Sequence, residues 1–120
     1  MILVADDDDD ILLLVTTRLR RDGFEIVSAS RGDDALALAR KVRPALAVLD
    51  IGMPGLDGLE VLQEIRKDET LAGTRVLLLT AKAQESDVRR GYDSGADAYV
   101  KKPFSPAELS TRVRALLDGD

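Results

Sequence analysis

Short apolar runs alternate with longer stretches of helical periodicity five times along this chain. Strands are predicted near residues 2–6, 24–29, 45–50, 75–80 and 98–101, and helices near 9–22, 33–42, 58–68, 84–94 and 106–117. Ile2–Ala5, Ala45–Leu49 and Val76–Leu79 are continuously apolar rather than alternating. That pattern belongs to strands buried on both faces of a parallel sheet. The helix ends are marked by sequence. Gly23 follows Arg20 and Arg21 as a stop for the first helix. Asp57-Gly58-Leu59-Glu60 reads as a capping box that starts the third, and Ser105-Pro106-Ala107-Glu108 as another, with proline at the first helical position. Five βα units joined by right-handed crossovers predict one doubly wound α/β domain over residues 1–120.

Chemistry collects at the ends of these strands. The first runs into Asp6 and Asp7, the third ends in Asp50, the fourth in Thr80, and the fifth leads to Lys102 and Pro103. In an open α/β sheet, ligands bind outside the carboxyl ends of the strands. If the strands are parallel neighbours, three carboxylates, a hydroxyl and an ammonium meet there. Two carboxylates about 4 Å apart repel by roughly 4 kcal/mol at an effective dielectric of about 20. Three sharing a pocket must take up protons or bind a cation. The chain has no Cys and no His, so zinc and softer metals lack their usual ligands. An all-oxygen site favours Mg²⁺, which bridges carboxylates to phosphate.

Composition narrows the rest. At 120 residues, 45% hydrophobic and 32% charged, the chain is globular rather than disordered. Its net charge of −5 argues against direct nucleic-acid binding and does not favour acidic membranes. No 18-residue apolar stretch exists, and the first strand begins directly after Met1. The expectation is a cytoplasmic chain with no transmembrane helix and no signal peptide.

ILVADD at the start, LDIGMPGLDG in the middle, LLLTA after the fourth strand and GADAYVKKPF before the last helix resemble the response-regulator receiver family of two-component signalling, including chemotaxis regulators. The similarity covers nearly the whole chain, with every motif in order. It implies a flavodoxin-like five-stranded parallel sheet in the order 2-1-3-4-5 with five helices. It implies a phosphoprotein switch rather than an enzyme, one that assists its own phosphorylation and dephosphorylation. Its phosphoryl group comes from a sensor histidine kinase or a phosphotransfer protein. Carried onto this sequence, Asp50 is the phospho-acceptor, with Asp7 and Asp50 as direct Mg²⁺ ligands, Asp6 a ligand through water, and Gly52 a ligand through its carbonyl. Thr80 and Lys102 contact the phosphoryl group, and the Lys102–Pro103 peptide is cis. Tyr99 is the aromatic switch coupled to Thr80. The output face is formed by the fourth helix, fifth strand and fifth helix. It carries Arg89, Arg90, Asp97, Arg112 and Arg114, and it suits a partner or a homodimer. Ile11, Leu14, Pro103 and Phe104 are the candidate kinase-docking residues.

Other readings share parts of this pattern. A flavodoxin-type carrier needs a Ser/Thr/Gly-rich phosphate loop where Asp6 to Asp10 stand. A haloacid-dehalogenase-like phosphatase needs a second Asp two residues after the nucleophile, where Gly52 stands. The alternative function is a receiver-like interaction module that is not phosphorylated. Asp8, Asp9 and Asp10 are expected to cap the first helix and complement its dipole. Gly52 and Lys82 occupy positions that tune water access to the acyl phosphate in the family. Ile11 to Val15 is apolar all round, so some of its leucines must face solvent.

Overall fold

The structure, a computed structural model, describes residues 1–81, 89–90 and 92–118. Five strands, β1 (Ile2–Ala5), β2 (Ile26–Ala29), β3 (Leu46–Asp50), β4 (Arg75–Thr80) and β5 (Ala98–Lys101), form one parallel sheet in the order β2-β1-β3-β4-β5. The described helices are α1 (Asp9–Arg21), α2 (Gly32–Val42), α3 (Gly58–Lys67) and α4 (Pro106–Leu117), with a 3-10 turn at Glu69–Leu71. Of the helix expected near 84–94, residues 89–90 and 92–93 are helical. Residues 82–88 and 91, including Lys82, lie outside the described residues. The flavodoxin-like topology is as predicted.

Strand alternation supplies two cores. Leu3, Ala5, Leu49 and Leu78 pack on α2 and α3 through Leu36, Leu62 and Ile65. Ile2, Val4, Val48 and Leu79 pack on α1 and α4 through Leu19, Leu109 and Val113. Successive strand residues point to opposite faces, so apolar runs without alternation are what a sheet covered on both sides demands. The chain leaves β1 first toward β2 and then, through α2, crosses to β3 on the other side. The order therefore reverses between β1 and β3, the place where such sheets open a crevice.

The ends of α1 show how sequence and fold trade positions. Gly23, at φ 99°, occupies the left-handed position after the helix. Its amide bonds to Arg20 O and that of Phe24 to Leu19 O, the paired closure of a Schellman turn. Phe24 therefore spends its amide on the helix, which is why β2 starts at Ile26 and not at residue 24. At the other end Asp8 is the cap: its carboxylate accepts from the amides of Asp10 and Ile11 at 3.0 and 3.2 Å. The expected shared capping by Asp8, Asp9 and Asp10 resolves into one cap and two first-turn acids. The capping box at Asp57 and Glu60 is complete. Ser105 caps α4 through the Glu108 amide.

This assignment separates two neighbouring aspartates. Asp8→Ala removes the cap and should cost about 0.5–2 kcal/mol in urea denaturation. Asp9→Ala loses only a dipole interaction, at most about 1 kcal/mol, and should cost measurably less than Asp8→Ala, which loses its cap as well. Equal losses would show that the first turn depends on its summed charge and not on the Asp8 cap.

Candidate functional site

β1 and β3 pair in register up to Ala5 and Leu49. The next residues, Asp6 and Asp50, therefore emerge side by side at the switch point. Asp6 is fully buried and Asp50 nearly so, while Asp7 is exposed. One carboxylate oxygen from each of the three lies within 4.8 Å of the others. That spacing is close to the diameter of an octahedral Mg²⁺ oxygen shell, about 4 Å.

The fourth charge arrives from two strands away. Lys102 follows β5, its amide bonds to Thr80 O at 2.6 Å, and its peptide with Pro103 is cis. Its ammonium lies 2.9 Å from Asp50 Oδ1 and 3.0 Å from Asp6 Oδ2. The Asp50 contact is a hydrogen bond. The Asp6 contact is nearly as short, so one ammonium is shared between the two buried carboxylates. Asp6 Oδ1 accepts from the Asp8 amide at 2.9 Å, which fixes the side chain from behind.

Burial pushes the Asp50 carboxyl above the usual carboxylate range; Lys102 opposes the rise and the Asp6 charge adds to it. Asp6 is raised by burial as well, against the Asp8 amide and Lys102. Burial alone would lower the Lys102 ammonium, but its contacts with Asp50 and Asp6 outweigh that and leave it raised. One ammonium thus faces three carboxylates, and a divalent cation would offset the remainder. The donor set of hard oxygens fits such an ion.

Thr80 closes β4 with its hydroxyl fully buried and without a hydrogen-bond partner. Such a group is costly in a native protein and calls for an explanation. Tyr99 pairs with Leu78 across β4 and β5, and both belong to the α2–α3 side. By strand alternation Thr80 is on that side too, so Thr80 and Tyr99 are diagonal neighbours on one sheet face. Gly52 lies exposed in the turn after Asp50. Further along, Gly58 donates to Ile51 O at 2.9 Å, and a Cβ there would collide with the Asp50 carbonyl. Glycine at 58 lets α3 seat directly on the Asp50 backbone.

Ile11, Leu14, Pro103 and Phe104 come together with Lys102 around a cavity of about 310 Å³. Leu14 also borders a second one, about 480 Å³, with Leu13, Thr17, Arg18, Arg21 and Pro106. Sequence reasoning missed this extension, although residues 14, 17, 18 and 21 have the spacing of one helix face. Leu13 and Leu14, at 65% and 43% exposed, are the predicted solvent-facing leucines. The expected charged output face needs correction. Asp97 instead accepts from the Val76 amide and from Arg66 at the opposite end of the sheet. Arg114 lies over the Phe24 ring and 3.9 Å from Asp22, on the α1 side. Both are taken by tertiary contacts, while Arg112 borders a cleft with Tyr99.

Five parallel strands in this order, with acidic groups and an ammonium gathered at their carboxyl ends, define a doubly wound α/β module whose carboxylates could hold a cation. The chain belongs to the response regulator receiver domain family, whose model matches residues 2–114. This is a regulatory rather than a catalytic family. The chain is 46% identical over 116 residues to the probable transcriptional regulator ycf27 of Porphyra purpurea, covering 97% of this chain and 46% of that protein. It is 43% identical to the alkaline phosphatase synthesis transcriptional regulatory protein PhoP of Bacillus subtilis, covering 97% of this chain and 48% of the relative. The receiver domain of NtrX from Brucella abortus superposes with a TM-score of 0.92 at 32% identity, covering 100% of both chains. The chain spans about half the length of the curated relatives it matches. Among the described residues no helix is long and apolar enough to cross a membrane.

The electrostatics predict the behaviour of metal-free protein. In EDTA, Asp50→Asn should melt higher than wild type, because it removes a buried charge that competes with Asp6 for one ammonium. Asp6 and Asp50 carry raised pKa values in the fold, so the native state holds more protons than the unfolded one. That penalty is present at neutral pH and lifts as pH falls through the folded-state values. The gap between wild type and Asp50→Asn should therefore shrink as pH is lowered from about 7 toward about 4. A lower melting temperature for the variant would show that the native Lys102 contact outweighs the repulsion.

Proposed function

We propose that this chain is a phospho-accepting switch of a two-component phosphorelay, with Asp50 as the acceptor. The observation that carries the reading is the Lys102 ammonium bridging Asp50 and Asp6, on a sheet whose next strand ends in an unpartnered buried hydroxyl. An Asp50 carboxylate oxygen attacks phosphorus. The bond from phosphorus to the donor imidazole breaks, and the nitrogen leaves with its electron pair. Phosphoryl transfer needs placement and charge neutralisation more than proton transfer. Lys102 neutralises charge on the transferred group while holding Asp50 in place. The Thr80 hydroxyl donates to a phosphoryl oxygen. Asp7 and Asp50 would hold Mg²⁺ directly, Asp6 through water, and Gly52 through its carbonyl; the ion would supply further charge neutralisation. Asp6, already tied to the Asp8 amide and to Lys102, suits the indirect role.

The donor is a sensor histidine kinase or phosphotransfer protein that meets Ile11, Leu14, Pro103 and Phe104 beside the site. On phosphorylation Thr80 moves inward and Tyr99 follows, repacking β5 against α4 and the helix before β5, a face open to a partner or a homodimer. The receiver itself does not contact nucleic acid or membrane and works in the cytoplasm.

Intact mass after treatment with acetyl phosphate tests the acceptor. Wild type should gain one phosphate in a Mg²⁺-dependent way, Asp50→Asn none, and Asp7→Ala little or none. Equal labelling of Asp50→Asn would remove the assignment, and an unlabelled wild type would leave the chain as a non-phosphorylated interaction module. The switch has its own test. Beryllofluoride, standing in for the phosphoryl group, should perturb amide NMR signals around Tyr99 and Arg112. Shifts confined to the loops at Asp7, Asp50 and Thr80 would mean that the site fills without switching.

A further inference from the structure

Tyr92 touches the switch residue, and nothing in the phosphoryl chemistry requires it. The rings of Tyr92 and Tyr99 meet edge to face, with centroids 5.5 Å apart and planes at 79°. Tyr92 sits on the helical residues before β5 and is 46% exposed. A residue exposed to that extent is not placed by core packing alone. Tyr99 is half-buried against the α2–α3 core. Beside the pair lies a cleft of about 490 Å³, bordered also by Lys101, Glu108 and Arg112. Along the same sheet face, Tyr99 has Thr80 as its diagonal neighbour. With Thr80 drawn inward, as the switch requires, the Tyr99 ring has two places to go: against Tyr92, as seen here, or toward the space that Thr80 vacates. The first is held by an aromatic pair that the second gives up.

We propose that Tyr92 is a positioning residue of the switch: its ring latches Tyr99 in the half-exposed position and so sets how much of the unmodified protein rests in that state. The inference builds on the reading of Thr80 and Tyr99 given above. Edge-to-face pairs contribute beyond their buried area. A contact made in one of two states biases their ratio by its own free energy. Removing this one should shift the ratio about two- to tenfold toward the switched state. A ligand that selects the switched state binds with an affinity scaled by that state's population, so breaking the latch tightens binding.

The sequence has two tyrosines and no tryptophan. Tyrosine fluorescence thus reports this pair alone, and in any Tyr92 variant it reports Tyr99 alone. The experiment is a beryllofluoride titration in Mg²⁺ of wild type, Tyr92→Phe and Tyr92→Leu, read by that fluorescence. Binding is followed independently by ¹⁹F NMR, and thermal melts check folding. All three proteins should show a fluorescence change. Tyr92→Leu should half-saturate at about two- to tenfold lower beryllofluoride, and Tyr92→Phe, which keeps the ring, should match wild type. The latch is overturned by an unchanged or raised midpoint in Tyr92→Leu, or by equal shifts in both variants. If beryllofluoride binds by ¹⁹F NMR but Tyr99 emission stays constant in every protein, the Thr80–Tyr99 switch itself fails, and the latch fails with it.

Discussion

One ammonium group between two buried carboxylates organises this molecule. Lys102 reaches Asp50 and Asp6 at 2.9 and 3.0 Å from the far side of β4. The contact thereby joins the ends of β1, β3 and β5 into one site. It is also electrostatically incomplete. Asp6 and Asp50 share the one ammonium, and Asp7 adds a third carboxylate at the rim. Buried charge is costly unless it is paired, and here the pairing stops one positive charge or more short of neutral. The fold tolerates this because the surrounding strands are buried on both faces and held by continuous ladders. A rigid sheet keeps like charges at a separation that a flexible loop would relax.

The topology was legible because each level of the sequence pointed the same way. Unalternating apolar runs demanded helices on both faces, the helical stretches supplied them, and stops such as Gly23 marked the joins. The site was legible for a related reason. A carboxylate immediately after a buried strand has few places to go, and β1 and β3 place two of them side by side. What periodicity could not reach was the division of labour within the run from Asp6 to Asp10. Asp8 is the cap because its backbone is extended, at φ −85° and ψ 110°, just where the helix begins. A one-residue shift in the end of β1 would have moved that role.

Side chains that serve tertiary contacts were the least legible. Asp97 looks like a surface acid next to β5, yet it accepts from the Val76 amide at 2.8 Å and from Arg66 at 3.0 Å. Its partners are 21 and 31 residues away in sequence. Arg114 is likewise drawn to Phe24 and Asp22, where Asp22 also accepts from Ser110 at 2.6 Å. Both residues were expected on the output face, and both are anchored elsewhere by partners that no local pattern encodes. The pairing of Tyr92 with Tyr99 belongs to the same class. Seven positions separate the two rings, and only the turn of the chain at Gly95, with φ 101°, brings them together.

The unsatisfied Thr80 hydroxyl sets the scale of the proposed switch. A buried hydroxyl left without a partner costs about 1–3 kcal/mol, and the Thr80 hydroxyl is in that condition at rest. A phosphoryl oxygen would give it a charged acceptor, and hydrogen bonds to charged groups contribute about 1.5–3 kcal/mol. A gain of that size moves a two-state ratio by roughly one to two orders of magnitude. Carrying a population from about 1:99 to about 99:1 needs about four orders. A shift of one to two orders carries a resting ratio of about 1:10 only to between about 1:1 and about 10:1, so Thr80 alone switches the protein fully only if its resting ratio is already close to balance. A more one-sided resting state would need Lys102 as well, released from its ion pair with Asp6 toward the new anion. Lys102 is shared between Asp50 and Asp6 at 2.9 and 3.0 Å, and giving up Asp6 would leave the ammonium beside Asp50, the group that would carry the new anion.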